Sequence, residues 1–227
     1  MSIENGWMDD VEHIPTAAAG GYTEVPDGQM WPKFIVNHIM QGYIGTMVQW
    51  ANERPPQRWI AVHFLMGRNG RIVQTAPIWT PGRHVAWGTY NLQSIGIEHE
   101  GFSIPPGYGY DYLYDAQHPW PEPMIQSTIR VQKWCMEAMR HYDHSLGADE
   151  QIIITHSMTG QPDRKDDPGA LFMQQVRPRI LQALAPVPPA PPEPVPAPTP
   201  PQIDPRITQA RELVEQAWWK LRQLEGA

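Results

Sequence analysis

Cysteine is almost absent from this chain, since Cys135 is the only one among 227 residues. A single cysteine excludes an intrachain disulfide bond, and a reducing site of synthesis fits this composition best. Cys135 lies in an apolar helical segment that has no matching base near it in the sequence. We therefore predict that it is a buried packing residue rather than a nucleophile.

Positive charge and long apolar runs are also scarce. Acidic residues number 24 against 17 lysines and arginines, and the formal net charge of −7 argues against a nucleic-acid-binding protein. No apolar stretch reaches the roughly 18 residues of a transmembrane helix, so we expect no membrane span. The N-terminal segment has neither a basic start nor an apolar run, which predicts synthesis in the cytoplasm without a signal peptide.

Proline, in contrast, is concentrated in one segment. More than half of residues 186–205 are prolines, and such a segment is expected to form an extended spacer of about 3 Å per residue. The composition therefore predicts three parts: a globular domain over residues 1–185, a proline-rich linker over 186–205 and a helix over 206–227. The hydrophobic content of 41% is sufficient for a core in the first part.

The predicted C-terminal helix is amphipathic, and Asp204 and Pro205 are a suitable start for it. Its apolar residues recur at steps of three and four: Ile207, Ala210, Val214, Ala217, Trp218, Leu221 and Leu224. Acidic and basic residues balance along it, which disfavours a helix on a membrane surface. Its apolar face needs a partner. Self-association and docking on the main domain are equally favoured, and a cell-wall anchor is a third alternative.

Strand and helix signals alternate along the main domain. Strands are predicted at residues 34–37, 58–66, 71–74, Ser94–His99 and 151–155, with a tight turn at Asn69-Gly70. Helices are predicted around Ile44 to Ala51, over 123–146 with Gly147 as the stop, and over 171–184 with an interruption at Pro178. This order predicts an α/β fold with a largely covered, mixed β-sheet flanked by helices.

Two histidines and an acidic segment form the most informative pattern. His38 and His156 each end an apolar run, and Lys165-Asp-Asp-Pro-Gly169 follows the second one. Two histidines and one carboxylate can supply three zinc ligands and leave a fourth position open, as in catalytic zinc sites. Either histidine alone is more often structural. The acidic segment is equally compatible with a solvated charge cluster in which Asp166 or Asp167 caps a helix.

The residue before a proline favours an extended backbone, so we expect Asp167, which precedes Pro168, to be extended. In an extended run, Lys165 and Asp167 share one face while Asp166 points away. A lysine beside a zinc-bound carboxylate places positive charge where an oxyanion can develop. Spacing alone favours this zinc site and the capped charge cluster equally.

The segment Ser94-Ile-Gly-Ile-Glu98 is an apolar strand that ends in a carboxylate. Alternation puts Ile95 and Ile97 on one face of the strand and Gly96 and Glu98 on the other. A carboxylate in such a place must be paired, hydrated or close to a metal. Glu98 is a candidate general base for water activated by zinc. The alternative is a solvent-facing glutamate, and His99 and Glu100 are competing candidates.

In their order and local sequence, these segments resemble the zinc-dependent N-acetylmuramoyl-L-alanine amidases of the second amidase family. That family includes bacteriophage amidase lysozymes and peptidoglycan recognition proteins. The resemblance is carried by the strand ending at His38, the hairpin at 62–74, Ser94-Ile-Gly-Ile-Glu98, and His156 with Lys165-Asp-Asp-Pro-Gly169. It extends from Trp31 to Leu184, which is nearly the whole globular part.

The resemblance implies that His38, His156 and Asp167 bind Zn²⁺. It places Asp167 at a ligand position that is cysteine in many members, Glu98 at the catalytic glutamate, and Lys165 at the position that assists at the oxyanion. It also implies a central mixed sheet with helices on both sides and the zinc ion in a surface groove.

Candidate substrate-binding residues lie in three further regions. Many family members have Trp-His-Ala-Gly ahead of the Ser94 strand, whereas this chain has His84-Val-Ala-Trp87-Gly88. His84 and Trp87 are the candidates there, and His84 either replaces the usual histidine or the histidine is missing. His63 faces the groove or is a structural histidine. Tyr108 belongs to an aromatic insert over 102–120, which forms a substrate wall or packs on its own domain.

The function implied by the resemblance is cleavage of the amide bond between N-acetylmuramic acid and L-alanine in bacterial peptidoglycan. We expect a phage endolysin that reaches the cell wall after holin-type release from the host cytoplasm. Alternatives are a cytosolic wall-recycling amidase and a peptidoglycan-binding module without activity. A further alternative is a scaffold protein in which the C-terminal helix is the functional part.

Overall fold

The computed structural model describes residues 3–15, 31–53, 61–85, 88–103, 119–161, 166–185 and 205–225. The chain divides into two compact units, Met1–Pro186 and Val187–Ala227. In the described part of the chain, no helix is both long enough and apolar enough to cross a membrane.

The first unit contains a six-stranded sheet in the order β1-β4-β3-β5-β2-β6. The strands are β1 (Glu12–His13), β2 (Phe34–Ile39), β3 (Phe64–Met66), β4 (Ile72–Gln74), β5 (Ser94–His99) and β6 (Ile153–Thr155). Neighbouring strands are parallel except β3 and β4, which form an antiparallel hairpin. Gly70, with φ of +90°, supplies the left-handed residue that this tight turn needs.

Helices cover both faces of the sheet, as predicted. They are α1 (Ile44–Glu53), α2 (Gly88–Asn91), α3 (Glu122–Tyr142), α4 (Asp149–Ile152) and α5 (Arg177–Leu184). One face packs against α3 and α5 through a buried apolar cluster that includes Ile35, Ile95, Ile97, Ile153, Val131, Cys135 and Ile180. On the other face, α1 contributes Ile44 and Met47 to a second cluster with Leu65 and Val73.

Cys135 is fully buried in the first cluster, and burial raises the pKa of its thiol. The prediction of a packing residue is therefore confirmed, because a protonated, inaccessible thiol is not a nucleophile.

The predicted bounds of two elements near the end of α3 were wrong. The helix predicted over 123–146 ends at Tyr142, before Gly147, because Asp143 is extended and accepts hydrogen bonds from the Ser145 amide and hydroxyl. Such a local side-chain turn competes with the helix. The strand predicted over 151–155 begins only at Ile153, since residues Asp149–Ile152 form the short helix α4.

Two further bounds differ from the prediction. In the segment predicted as a strand over 58–66, β3 begins at Phe64, and residues 58–60 lie outside the described part. The interruption predicted at Pro178 is a π-helical turn over Phe172–Val176 that precedes α5. A wider turn there relieves the clash between a proline ring and the carbonyl four residues earlier.

The second unit contains helix α6 (Pro205–Glu225), which confirms the predicted C-terminal helix. Its large apolar side chains in the described part are exposed, among them Leu213, Val214, Trp218, Trp219 and Leu221.

Candidate metal centre

The candidate site lies at the carboxyl ends of three adjacent parallel strands. His38 is the fifth residue of β2, and its register partner on β5 is Glu98. His156 directly follows β6, on the other side of β2. Because side chains of paired residues in a parallel sheet point to the same face, His38 and Glu98 are neighbours. This edge is where ligands bind in open α/β sheets.

Three side chains converge there, those of His38, His156 and Asp167. The Nδ1 atoms of the two histidines are 2.9 Å apart. The Oδ2 atom of Asp167 is 3.0 Å from Nδ1 of His156 and 3.7 Å from Nδ1 of His38. All three residues are buried, and the potential ligand atoms lie within 4.8 Å of one another.

This geometry fits a zinc ion. Ligand atoms about 2 Å from a tetrahedral ion lie about 3.3 Å apart, which is the range seen among these three atoms. Two imidazole nitrogens and one carboxylate oxygen are a donor set that zinc accepts with a fourth position left open. Burial raises the pKa of Asp167, but hydrogen bonds with His156 and His38 outweigh it and hold that pKa well below its usual value.

Each of the three residues has a second contact that fixes its orientation. The Ile39 amide donates to Oδ1 of Asp167 at 2.8 Å. Nε2 of His156 lies 2.6 Å from Oε1 of Gln161, and Nε2 of His38 lies 2.9 Å from Nδ1 of His84. Outer contacts of this kind orient metal ligands and tune their basicity. Gln161 was not among the predicted residues, and no pattern in the sequence distinguishes it.

Asp166 and Asp167 have different environments although they are adjacent. Asp166 is exposed, whereas Asp167 is buried among the histidines. Of the two acidic residues in this segment, only Asp167 joins the cluster. Lys165, the residue predicted to share its face, lies outside the described residues.

His84 contacts the metal cluster from the side. Its ring is buried and lies against the backbone of Gly96 on β5, where a Cβ atom would come within 2.7 Å of it. Ser94 Oγ lies 3.3 Å from Nε2, on the far side of the ring from His38. Burial, and next the neighbouring His38, lower the pKa of His84 well below its ordinary value. The ring of His84 therefore holds the ring of His38 in position.

His63 is enclosed by the protein. The side chain is 0% exposed. Its Nε2 donates to the Thr80 carbonyl at 2.7 Å, and its Nδ1 accepts from the Gly96 amide at 2.9 Å. Burial lowers its pKa to about 4. These contacts favour the structural alternative over the substrate-binding one.

Of the three competing residues, Glu98 is the one paired in register with His38. The ring of His99 packs against Trp120 and Phe172, and its Nδ1 donates to the His38 carbonyl. The carboxylate of Glu100 accepts from the backbone amides of Ile44 and Arg68. His99 and Glu100 therefore have structural contacts, while Glu98 is buried next to the cluster.

The ends of the aromatic insert are fixed to the domain. The Gln41 amide donates to Ser103 Oγ at 2.5 Å, and the Ser103 amide donates back to Gln41 Oε1. At the other end, Trp120 is buried against His99 and Phe172. Tyr108, within the insert, and Trp87, after His84, lie outside the described residues.

Comparison with known proteins supports the fold and shows the family. A family model described as N-acetylmuramoyl-L-alanine amidase matches residues 28–170. A selenomethionine derivative of AmpD superposes with a TM-score of 0.53 at 19% identity, covering 81% of this chain and 99% of AmpD. PlyL superposes with a TM-score of 0.53 at 12% identity, covering 77% of this chain and 96% of PlyL. A search of curated protein sequences finds no match.

Proposed function

The chain belongs to the N-acetylmuramoyl-L-alanine amidase family, and from this premise we propose that it is a zinc-dependent hydrolase of peptidoglycan. Its substrate bond is the amide between the lactyl group of N-acetylmuramic acid and L-alanine. The observation that carries the proposal is the buried cluster of His38, His156 and Asp167 at the carboxyl ends of parallel strands.

These three residues would hold the zinc ion. Zinc bound there supplies Lewis-acid polarisation of the amide carbonyl and makes a water molecule more acidic. The protein itself fixes the three ligands through Ile39, Gln161 and His84, so that little reorganisation is needed when substrate binds.

Glu98 acts as the general base and then as the general acid. Its place beside His38 in the β2–β5 register puts a carboxylate next to the metal ligands. There it accepts a proton from the attacking water and later delivers that proton to the leaving amine of L-alanine. The burial of Glu98 limits competing contact with bulk water.

Lys165 stabilises the negative charge that develops on the carbonyl oxygen. This role is supported by the position of Lys165 in the sequence, two residues before Asp167. A fixed ammonium group near a developing oxyanion lowers the barrier to acyl transfer. For substrate recognition we propose Trp87 and Tyr108. Both ring nitrogens of His84 and of His63 have protein partners, so we propose that His84 positions His38 and that His63 is structural.

We further propose that the enzyme is a phage endolysin, made in the host cytoplasm and acting on the wall after holin-type release. The proline-rich segment and the separate helix α6 support this role. A recycling amidase, which acts on small soluble fragments, has no use for such an appendage.

A peptidoglycan-binding module without activity is the alternative from another functional class. Such relatives generally lose a metal ligand, whereas here all three ligand positions and Glu98 are present. This difference favours the enzyme.

The test is mass spectrometry of purified peptidoglycan digested with and without a chelator. We expect free peptides that begin with L-alanine, released only when zinc is available. Tight binding to peptidoglycan with stoichiometric zinc but no released peptide would instead establish the binding module. Release that continues after complete removal of zinc would exclude the metal mechanism.

A further inference from the structure

Three aromatic side chains form a cluster at the edge of the sheet opposite to the candidate metal centre. Trp31 precedes β2, Tyr142 is the last residue of α3, and Trp79 follows β4. The ring centres are 5.0 Å apart for Trp31 and Tyr142, 5.7 Å for Trp31 and Trp79, and 4.9 Å for Trp79 and Tyr142. From the start of β2 to His38 the strand covers roughly 13 Å, so this aromatic cluster and the metal centre are separate surfaces.

The aromatic cluster presents two of its rings to solvent. Trp31 is 52% exposed and Tyr142 is 39% exposed, whereas Trp79 is buried. The indole N–H of Trp79 donates to the Ile3 carbonyl at 3.3 Å, which holds this ring in place behind the other two. A single exposed apolar residue is ordinary, but a contiguous group of them marks an interaction surface. The aromatic cluster therefore has the features of a binding surface.

The two exposed rings also keep their polar groups free. In the described part of the chain, neither the indole N–H of Trp31 nor the hydroxyl of Tyr142 has a hydrogen-bond partner. Such a pair suits a ligand that has an apolar face and a polar edge. A pyranose ring has this character, because its C–H groups form an apolar face while its hydroxyl and acetamido groups surround the edge.

We propose that Trp31 and Tyr142 bind a sugar ring of the glycan strand of peptidoglycan, at a distance from the bond that is cleaved. The choice of this polymer rests on the proposed amidase function. The formal net charge of −7 gives the chain no long-range attraction to the acidic groups of a cell wall. Stacking on an uncharged N-acetylhexosamine ring needs no such attraction. A second contact of this kind holds the enzyme on the polymer and raises the local concentration of stem peptides at the metal centre.

The first experiment measures binding of the soluble N-acetylglucosamine tetramer to the full chain by isothermal titration calorimetry. The tetramer has sugar rings but no peptide, so the proposed reaction does not consume it. Trp31→Ala should lower the affinity about tenfold, and Tyr142→Ala should lower it less because the Tyr142 ring is less exposed. Trp31→Phe should restore most of the affinity, since a phenyl ring still stacks on a sugar. Added salt should leave the affinity unchanged.

Trp219→Ala is the matched control. Trp219 is 69% exposed on α6, but in the described residues its ring contacts no other aromatic ring. We expect this variant to bind the tetramer as the unmodified chain does. A loss of affinity as large as that of Trp31→Ala would overturn the proposal, because exposure alone would then explain binding. An unmodified chain that does not bind the tetramer would also overturn it.

Amidase kinetics separate this proposal from the proposed function. Trp31→Ala should keep the kcat of the unmodified enzyme on a small soluble muramoyl peptide, and should raise the KM for insoluble peptidoglycan. An unchanged KM for insoluble peptidoglycan would overturn the glycan contact and leave the amidase intact. An unmodified chain that binds the tetramer through Trp31 but releases no peptide would instead refute the amidase and support the glycan contact.

Light scattering distinguishes a glycan strand from a second copy of the chain on the same surface. We expect the molar mass of the unmodified chain to equal that of Trp31→Ala. A larger mass that Trp31→Ala reduces to the value of a single chain would assign the aromatic cluster to self-association and overturn the proposal.

Discussion

The two faces of strand β5 differ in what their burial requires. Ile95 and Ile97 are fully buried in the apolar cluster beneath α3, where a side chain only has to fill its space. On the opposite face, Gly96 supports the rings of His84 and His63, and Glu98 lies beside His38. Polar groups there need specific partners. Alternation along β5 therefore places the residues that fill the core on one face and those of the proposed site on the other.

Removing one of the proposed metal ligands should have the largest effect on the site beside the polar face of β5. Asp167→Ala should abolish stoichiometric zinc binding and lower amide hydrolysis about a thousandfold or more, since metal polarisation supplies several kcal/mol of transition-state stabilisation. Zinc content is measured by atomic emission, and hydrolysis by peptide release. Asp166→Ala is the control, because Asp166 is adjacent but exposed. Equal losses in both variants would contradict the assignment of Asp167.

Glu98→Gln separates metal binding from proton transfer. The amide keeps the shape of the side chain but is not basic, so we expect zinc to remain bound while kcat falls about 10²- to 10⁴-fold. Glu100→Gln, two residues further along, should keep most of the activity. A Glu98→Gln enzyme with normal kcat would remove Glu98 from the mechanism.

Ile97→Ala removes a buried side chain from the apolar face of β5. A cavity in the cluster beneath α3 should lower the free energy of unfolding by about 2–5 kcal/mol, measured by urea denaturation. Ile97→Val, which removes one methylene group, should cost about 0.5–1.5 kcal/mol. For the folded fraction of either variant, kcat and zinc content should be unchanged. A specific loss of zinc would show that the two faces are not independent.

His84→Ala should weaken zinc binding without removing a ligand. Loss of the contact with Nε2 of His38 is expected to lower zinc affinity about 10- to 100-fold, the usual effect of an outer contact. His84→Asn, whose amide can occupy the position of Nδ1, should restore part of that affinity. Competition with a chromogenic chelator measures both. Unchanged affinity combined with a raised KM would instead assign His84 to substrate.

His63 should make stability depend on pH. Burial lowers its folded-state pKa to about 4, so the unfolded chain, with a pKa near 6.5, binds a proton that the folded chain excludes. The contribution of a neutral His63 is therefore complete above about pH 6.5 and is lost as the pH falls toward 4. Between pH 7.5 and 5 the loss is about 2 kcal/mol. His63→Gln, which does not titrate, should lack this component in urea unfolding at the two pH values.

The local pattern of β5 was sufficient to predict it. Ser94–His99 has the predicted bounds, because alternation of apolar residues with Gly96 and Glu98 is a property of neighbouring residues. The split of 151–155 into α4 and β6 was not predictable in this way, since a short apolar run suits either a helix or a strand. Pairing of Ile153–Thr155 with β2 makes these three residues a strand.

For the site, residue types could be predicted but outer contacts could not. His38, His156 and Asp167 follow apolar runs or precede a proline, and these are signals within the sequence. The contact of His84 with His38 depends on the space above Gly96, which exists only when β5 and the segment after β4 are in place. Sequence spacing does not encode that distance.

The Asp167 carboxylate has a consequence for folding as well as for catalysis. It bonds to the end of β2 through the Ile39 amide and to His156 after β6, so it joins segments from near the start and the end of the domain. An ion held by His38, His156 and Asp167 would act there as a reversible cross-link between β2 and the segment after β6, in a chain that has one cysteine and hence no intrachain disulfide. Its removal would lower the free energy of unfolding by the contribution of this cross-link.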